Sequence, residues 1–398
     1  MAIYLDHSAT TPLAPAVRAA MEPYLTHGFG NAASLHSFGR EATAALDEAH
    51  FTAGFAIGAR ASEIIFTSGG TESDNLALRG ILLGLKAQTA APALAISAIE
   101  HHAVSETAAQ LERHFGHPRH VIAVDGQGRV DPSSVAATLD AAGGAIKLVS
   151  VMMANNEIGT VQAIAEIAAI CHARGCLLHT DAVQCPAYLP VDVNALGVDA
   201  LSLSAHKVYG PKGIGILYLR DGVPFISTAT GGGHERDRRA GTVNVAGAVG
   251  AAEALKRAAS RRAEETARLT ALRDRLIAGV LAQVPEVVLT GHPTERLAHL
   301  ASFAFKGVDG EVLQMALDVE GIAVSTGSAC TSGSPEPSEV LLAIGLAREW
   351  ALGGLRFSLG ESTTEADIAR VIEVLPTCVV RARAAVDFPL RPATGPAR

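Results

Sequence analysis

Lys207 lies within Ser204-Ala205-His206-Lys207-Val208-Tyr209-Gly210-Pro211-Lys212-Gly213-Ile214-Gly215, directly after the apolar run 198–203 and before a glycine-studded turn. A lysine leaving a strand is ordinarily solvated and charged. One that acts as an amine nucleophile must give up its proton. Four more polar sets follow short apolar runs. Ser68-Gly69-Gly70-Thr71-Glu72-Ser73-Asp74-Asn75 comes after 64–67, and Glu100-His101-His102 after 93–99. Asn155-Asn156-Glu157 comes after 147–152, and Asp181 with Gln184 after 177–180. The first is a small-residue turn opening a helix, where backbone N–H groups and the Thr71 hydroxyl can cradle a phosphate. Taken singly, each set has an ordinary reading: a turn, a surface histidine, a strand-end cap at Asp181. Glu100-His101-His102 lacks HExxH or any related metal spacing, so no metal site is read there. Gly210-x-x-Gly213-x-Gly215 reverses the dinucleotide fingerprint and precedes a strand rather than a helix, which excludes a nucleotide loop.

These sets can act together only if the elements between them bring them to one place. Strands are expected at 64–67, 93–99, 120–124, 147–152, 177–180, 200–203 and 215–219, with helices between them. One helix spans 105–115, and another begins at Asp131-Pro132, a cap followed by proline at the first helical position. A third carries Ile164, Ile167, Ala168 and Cys171 on one face and stops at Gly175. Apolar strands alternating with helices predict an α/β fold with a mostly parallel sheet covered on both faces. From about 246 to 281 the pattern becomes one or two long helices. New strands at 301–305 and 323–325 and helices at 340–344 and 364–374 then predict a smaller α+β domain. The expected division is 1–257 and 258–398, with roughly the first 15 residues packing on the second unit. The tail 390–398, with two prolines and no aromatic residue, is expected to be disordered.

Ligands of parallel sheets sit beyond the carboxyl ends of the strands. A lysine, a phosphate nest, an imidazole face, a carboxamide and an acid at one such edge meet the needs of pyridoxal phosphate: an imine partner, a phosphate site, a stacking surface and an acid to keep the pyridine nitrogen protonated. Composition agrees with an enzyme of this kind. A net charge of −8 argues against a nucleic-acid platform. No uncharged apolar run reaches the roughly 18 residues of a membrane span, and Asp6 interrupts any leader-like core at the start. Five cysteines without a CxxC pair offer neither a disulfide framework nor a zinc site, and fit a reduced, cytoplasmic setting.

With these motifs in view, the chain resembles the cysteine desulfurases, fold-type I pyridoxal-phosphate enzymes of the aminotransferase class V group. The resemblance runs from Tyr4-Leu5-Asp6-His7-Ser8-Ala9-Thr10-Thr11-Pro12 to Arg356-Phe357-Ser358-Leu359-Gly360 and includes TSGGTESDN, EHHAV, NNEIGT, HTDAVQ, GGGHERDRRAGT and SGSPEPSEVL. It implies that Lys207 holds the cofactor aldehyde covalently. His101 would stack on the ring, Asp181 pair with its nitrogen and Gln184 bond its hydroxyl. Gly70, Thr71, Ser204 and His206 would hold the phosphate, with Thr242 reaching it from the other subunit of a homodimer. Asn156, lining the cofactor, and Arg356 would hold the substrate carboxylate, Arg356 through its bidentate fork. Gly70 stands where the family usually has alanine, and Met152-Met153-Ala154 stands where a histidine is common.

Cys330 lies in Ser325-Thr326-Gly327-Ser328-Ala329-Cys330-Thr331-Ser332-Gly333-Ser334-Pro335, among small residues suited to a nucleophile that travels. The resemblance implies that L-cysteine displaces Lys207, whose amine then removes the α-proton while His101 moves protons. Cys330 would take the sulfur as a persulfide, release alanine and pass the sulfur to an acceptor, an iron–sulfur scaffold or a thiolation protein. The cysteine stretch resembles the long-loop group of iron–sulfur assembly and nitrogen fixation. The segment after Asp387 is shorter than the extension that docks a scaffold in the housekeeping type. Three alternatives are a selenocysteine lyase, which would not need Cys330, a non-catalytic scaffold, which would break the constellation, and a cluster-binding protein using Cys330 as ligand. Cys171 and Cys176 read as core; Cys185 and Cys378 have no assigned role.

Overall fold

The computed structural model describes residues 2–86, 89, 91–326 and 336–386. The expectations for Cys330 and for the tail 390–398 lie outside these residues. At the centre is a seven-stranded sheet: β1 (Ile64–Thr67), β2 (Ala93–Ser97), β3 (Arg119–Ile122), β4 (Ile146–Ser150), β5 (Leu177–Asp181), β6 (Ala200–Ser204) and β7 (Gly215–Leu219), in the order β1-β7-β6-β5-β4-β2-β3. Alternate residues of its strands face opposite layers. Ile65, Leu94, Ile96 and Leu217 pack with Leu78, Ile81 and Val104 of the helices Gly70–Leu85 and His102–Phe115. Ile64, Phe66, Val149 and Ile216 face the other layer with Ile167 and Leu255. Burial on both faces is why the strands read as continuous apolar runs.

The expected mostly parallel sheet is present, with β7 antiparallel to both β1 and β6. The link 205–214 is too short for a parallel return, which needs roughly a dozen residues or more. Gly215 therefore begins β7 at the edge where its neighbours end, opposite Thr67 and Ser204. A Cβ on Gly215 would stand 2.4 Å from the carbonyl carbon of Gly69, itself at φ +159, a conformation open to glycine. Gly215→Ala is therefore expected to push the 68–70 turn outward and lower stability by about 1–3 kcal/mol. Thermal unfolding checks this, and an unchanged Tm would show that the turn can yield at no cost.

Some elements differ from the sequence expectation. The helix expected from 105 starts at His102, because the His101 ring caps it by accepting from the Ala103 N–H at 3.0 Å. The helix expected at 364–374 runs Glu365–Val386 through Pro376. Its buried face continues past the proline at Cys378, Val379 and Ala382, and this packing outweighs the roughly 3 kcal/mol a helical proline costs. The long segment forms a single helix, Val245–Gln283, which packs on the helices Pro15–Thr26 and Ser37–Ala56 and on Glu365–Val386.

A three-stranded antiparallel sheet follows, Val287–Leu289, Leu300–Phe305 and Gly354–Ser358, with Phe303, Phe305 and Phe357 buried against Leu313, Ile368 and Val371. Near the start of the chain, Ile3–Tyr4 pairs in parallel with Ile322–Ala323. Among the described residues no helix is long and apolar enough to cross a membrane.

Candidate active site

β1, β2, β4, β5 and β6 end along one edge, and the residues after them wall a cavity of about 310 Å³. Gly70, Thr71, His101, Asn156, Asp181, Gln184, Ser204, His206 and Lys207 all line it. Arg356 joins them from the second sheet, and Ser8 and Ala9 from the N-terminal segment. A second hollow of about 410 Å³, sharing Gly70, Thr71, Ser204 and His206 with the first, is also lined by Lys212.

Lys207 ends the short turn Ala205–Lys207, which swings its side chain into the cavity. Its Nζ donates to the carbonyls of Ser8 at 2.5 Å and Ala9 at 2.8 Å. Burial, then the charge of Arg356, brings its pKa down to about 8, against smaller opposing pulls from Asp181 and Asp6. Asp181 closes β5, and its Oδ1 accepts from the Val183 N–H at 2.9 Å. Burial raises its pKa, opposed by His101 and Lys207. Gln184 Nε2 donates to the Ser8 carbonyl at 3.0 Å. Because His101 Nδ1 accepts from the backbone, its ring proton sits on Nε2, and loss of solvent lowers its pKa and keeps it neutral. His206 Nδ1 lies 3.1 Å from Thr10 Oγ1; burial first, then Lys207 and Lys212, holds its pKa at about 4.

The two adjacent asparagines divide their work. Asn155 is fully buried, accepts from the Glu157 and Ile158 N–H groups and donates to the Ile99 carbonyl, which shapes the turn. Asn156 faces the cavity, and its carbonyl accepts from Arg356 Nη1 at 3.0 Å. Gly70 lets the helix start approach the Asp181 segment, since a Cβ there would stand 2.8 Å from Val183 Cγ2.

Residues 3–371 match the family Aminotransferase class-V. The cysteine desulfurase IscS of Dictyoglomus turgidum is 45% identical over 381 residues, covering 96% of this chain and 95% of that protein. A solved NifS-like protein is 33% identical with a TM-score of 0.88, covering 96% of this chain and all of the other. A solved SspA in complex with cysteine is 31% identical with a TM-score of 0.77, over 90% of this chain and 98% of that one. The chain belongs to the aminotransferase class-V family. Its sheet and topology are those of the fold-type I arrangement.

One of the expected site residues of this class-V chain stands apart from the rest. Thr242 is exposed and does not line the cavity. Cys330 lies outside the described residues, but the residues on either side of its segment are fixed to the site. Ser325 and Arg356 exchange backbone hydrogen bonds, and the Ser338 hydroxyl donates to Glu157 Oε2 at 2.5 Å.

Behind the cavity lie acids that the sequence reading left unassigned. Asp74 lines the wall, and its Oδ1 has no hydrogen-bond partner among the described residues. Glu100 Oε1 accepts from the Ser97 hydroxyl and, at 2.8 Å, from the Met152 N–H. Burial raises both carboxyls, Glu100 to about 8, which favours the protonated acid. His179 lies between Ser150 Oγ at 2.9 Å and Ser202 Oγ at 3.0 Å, and burial holds it neutral with a pKa of about 3. A sequence signal for Asp74 existed. It shares the apolar helix face of Ala77, Leu78 and Ile81, where an acid is out of place unless it serves a site.

Proposed function

We propose that this chain is a pyridoxal-phosphate-dependent cysteine desulfurase. It would take sulfur from L-cysteine, release L-alanine and carry the sulfur as a persulfide on Cys330. The observation that carries the reading is one cavity holding a lysine with a depressed pKa, a buried acid and an arginine, with both flanks of the Cys330 segment tied to Arg356 and Glu157. The relatives named as desulfurases and the cysteine-bound neighbour support the choice of substrate.

The residues present fit the cofactor. The first-turn N–H groups of the helix Gly70–Leu85 have no intrahelical acceptors and open on the hollow beside Ser204 and His206, which suits a phosphate. Asp181 would hold the ring-nitrogen proton, Gln184 the ring hydroxyl, and His101 would lie against the ring. When bound, pyridoxal phosphate supplies an electron sink for the carbon that loses its proton. Lys207 Nζ, displaced by the substrate amine, would take that α-proton, and His101 would move protons at Nε2. Arg356 and Asn156 would hold the substrate carboxylate. The Cys330 thiolate would attack the substrate sulfur. An S–S bond would form as the C–S bond breaks, the electron pair would stay on the β-carbon, which takes a proton, and the α-carbon would regain the proton held by Lys207, so that the skeleton leaves as alanine.

The reading includes a homodimer in which Thr242 completes the neighbouring subunit's phosphate site, a protein sulfur acceptor and a cytoplasmic setting. It also divides the chain into a cofactor-binding unit 1–257 and a smaller unit 258–398 carrying Cys330. The test is the formation of alanine and sulfide from L-cysteine with a thiol reductant. Equimolar alanine and sulfide are expected. Cofactor binding with no alanine from L-cysteine would overturn the substrate.

A further inference from the structure

Arg356 does not reach the cavity as a free cation. Its Nη2 donates to Asp6 Oδ1 at 2.8 Å and its Nη1 to the Asn156 carbonyl, while Nε is buried with no hydrogen-bond partner among the described residues. Asp6 is 350 positions away in sequence and is held in place through its backbone. Leu5 O accepts from the Ser358 N–H at 2.7 Å, the His7 N–H donates to Ser358 O at 3.2 Å, and Asp6 bridges Ser358 in parallel. Ser358 is two residues beyond Arg356 on the same strand, so both face the same side. The Tyr4 hydroxyl adds a further tie, lying 3.0 Å from the carbonyls of both Asp6 and Thr10. The carboxylate is thus fixed to the strand that carries the guanidinium it holds.

A guanidinium has five N–H groups in a rigid fork. Two of the five are engaged, one on Nη1 and one on Nη2, which leaves three to meet other acceptors. We propose that Asp6 is a positioning residue that holds the Arg356 guanidinium in place at the cavity wall, so that its uncommitted N–H groups meet the substrate carboxylate. The proposal rests on the reading that Arg356 takes that carboxylate. Asp6 also neutralises part of the arginine's charge, which weakens its pull on an anion. The arginine side chain is 6% exposed and that of Asp6 20%. In so enclosed a place a guanidinium stripped of its partner turns toward other acceptors, so loss of orientation outweighs the gain in charge.

The test uses holoenzyme of the wild type, Asp6→Ala, Asp6→Asn and Arg356→Ala. L-Alanine, which has the carboxylate but no sulfur, is titrated against the visible absorption, cysteamine serves as the carboxylate-free probe, and kinetics are measured with L-cysteine. Asp6→Ala is expected to weaken L-alanine binding and raise KM about tenfold, leave kcat within about twofold and leave cysteamine binding unchanged. Asp6→Asn, which keeps the acceptor, should restore most of the affinity. If Asp6→Ala does not accumulate folded, Asp6→Ser makes the same comparison. Weakened L-alanine binding in Arg356→Ala but not in the Asp6 variants overturns the positioning role alone. Unchanged L-alanine binding in Arg356→Ala overturns the carboxylate reading, and this inference with it. Equal losses for L-alanine and cysteamine, with kcat falling in step, would mark Asp6 as merely structural and also overturn it.

Discussion

Lys207→Ala is expected to lose the covalent hold on the cofactor and at least about 10³-fold in alanine formation, since in the proposed reading one amine would serve both as attachment point and as base. The visible absorption of the loaded wild type should be replaced by that of the unattached cofactor. An unchanged band would remove Lys207 from the attachment. The same residue sets a pH dependence. An exposed lysine near 10.5 would be almost wholly charged at neutral pH, whereas burial and Arg356 bring Lys207 to about 8. The protonated amine cannot attack an aldehyde. The rate at which apoprotein captures the cofactor should therefore rise about tenfold per pH unit below about 8 and level off above it. A rise that continues to 10.5 would mean that the amine is solvated. The shift also acts on stability. Between about 8 and 10.5 the unfolded chain binds a proton at this amine that the folded apoprotein does not, so this group's contribution to stability rises with pH across that window.

Cys330→Ser should separate the two halves of the chemistry. The variant is expected to bind the cofactor and show the wild-type visible band, because the proposed attachment site is the cavity lined by Lys207 and Asp181. Alanine and persulfide formation should fall by roughly 10³-fold or more, because a serine hydroxyl is scarcely ionised near neutral pH whereas a free thiol ionises near 8.5. Mass spectrometry of the protein after exposure to L-cysteine should show added sulfur on wild type only. Normal turnover in the serine variant would move the nucleophile elsewhere and favour a lyase that cleaves without a persulfide. Of the other cysteines, Cys171, Cys176, Cys185 and Cys378 are buried, and burial raises each thiol, which leaves them poor substitutes.

Much of the site was legible because it is assembled from strand ends. Once short apolar runs alternate with helical patterns, the sheet direction follows, and with it the edge at which Gly70, His101, Asn156, Asp181 and Lys207 must gather. The small turn at 68–70 and the lysine after an apolar strand are local signals, and local sequence fixes local geometry. Asp74 was missed, although an acid on an apolar helix face is a signal that could have found it.

The tertiary structure decided what depends on distant partners. The direction of β7 followed from the span of its link, and the need for glycine at 215 from the backbone of Gly69 beside it. The split between Asn155 in the turn and Asn156 at the cavity depends on where Ile99 and Arg356 lie. The helix through Pro376 persists because Cys378, Val379 and Ala382 find a core that no window of sequence displays. The pairing of Asp6 with Arg356 joins opposite ends of the chain through one strand register. Patterns of a few residues determine elements and their ends, whereas a contact between remote elements is set by the packing of all of them at once.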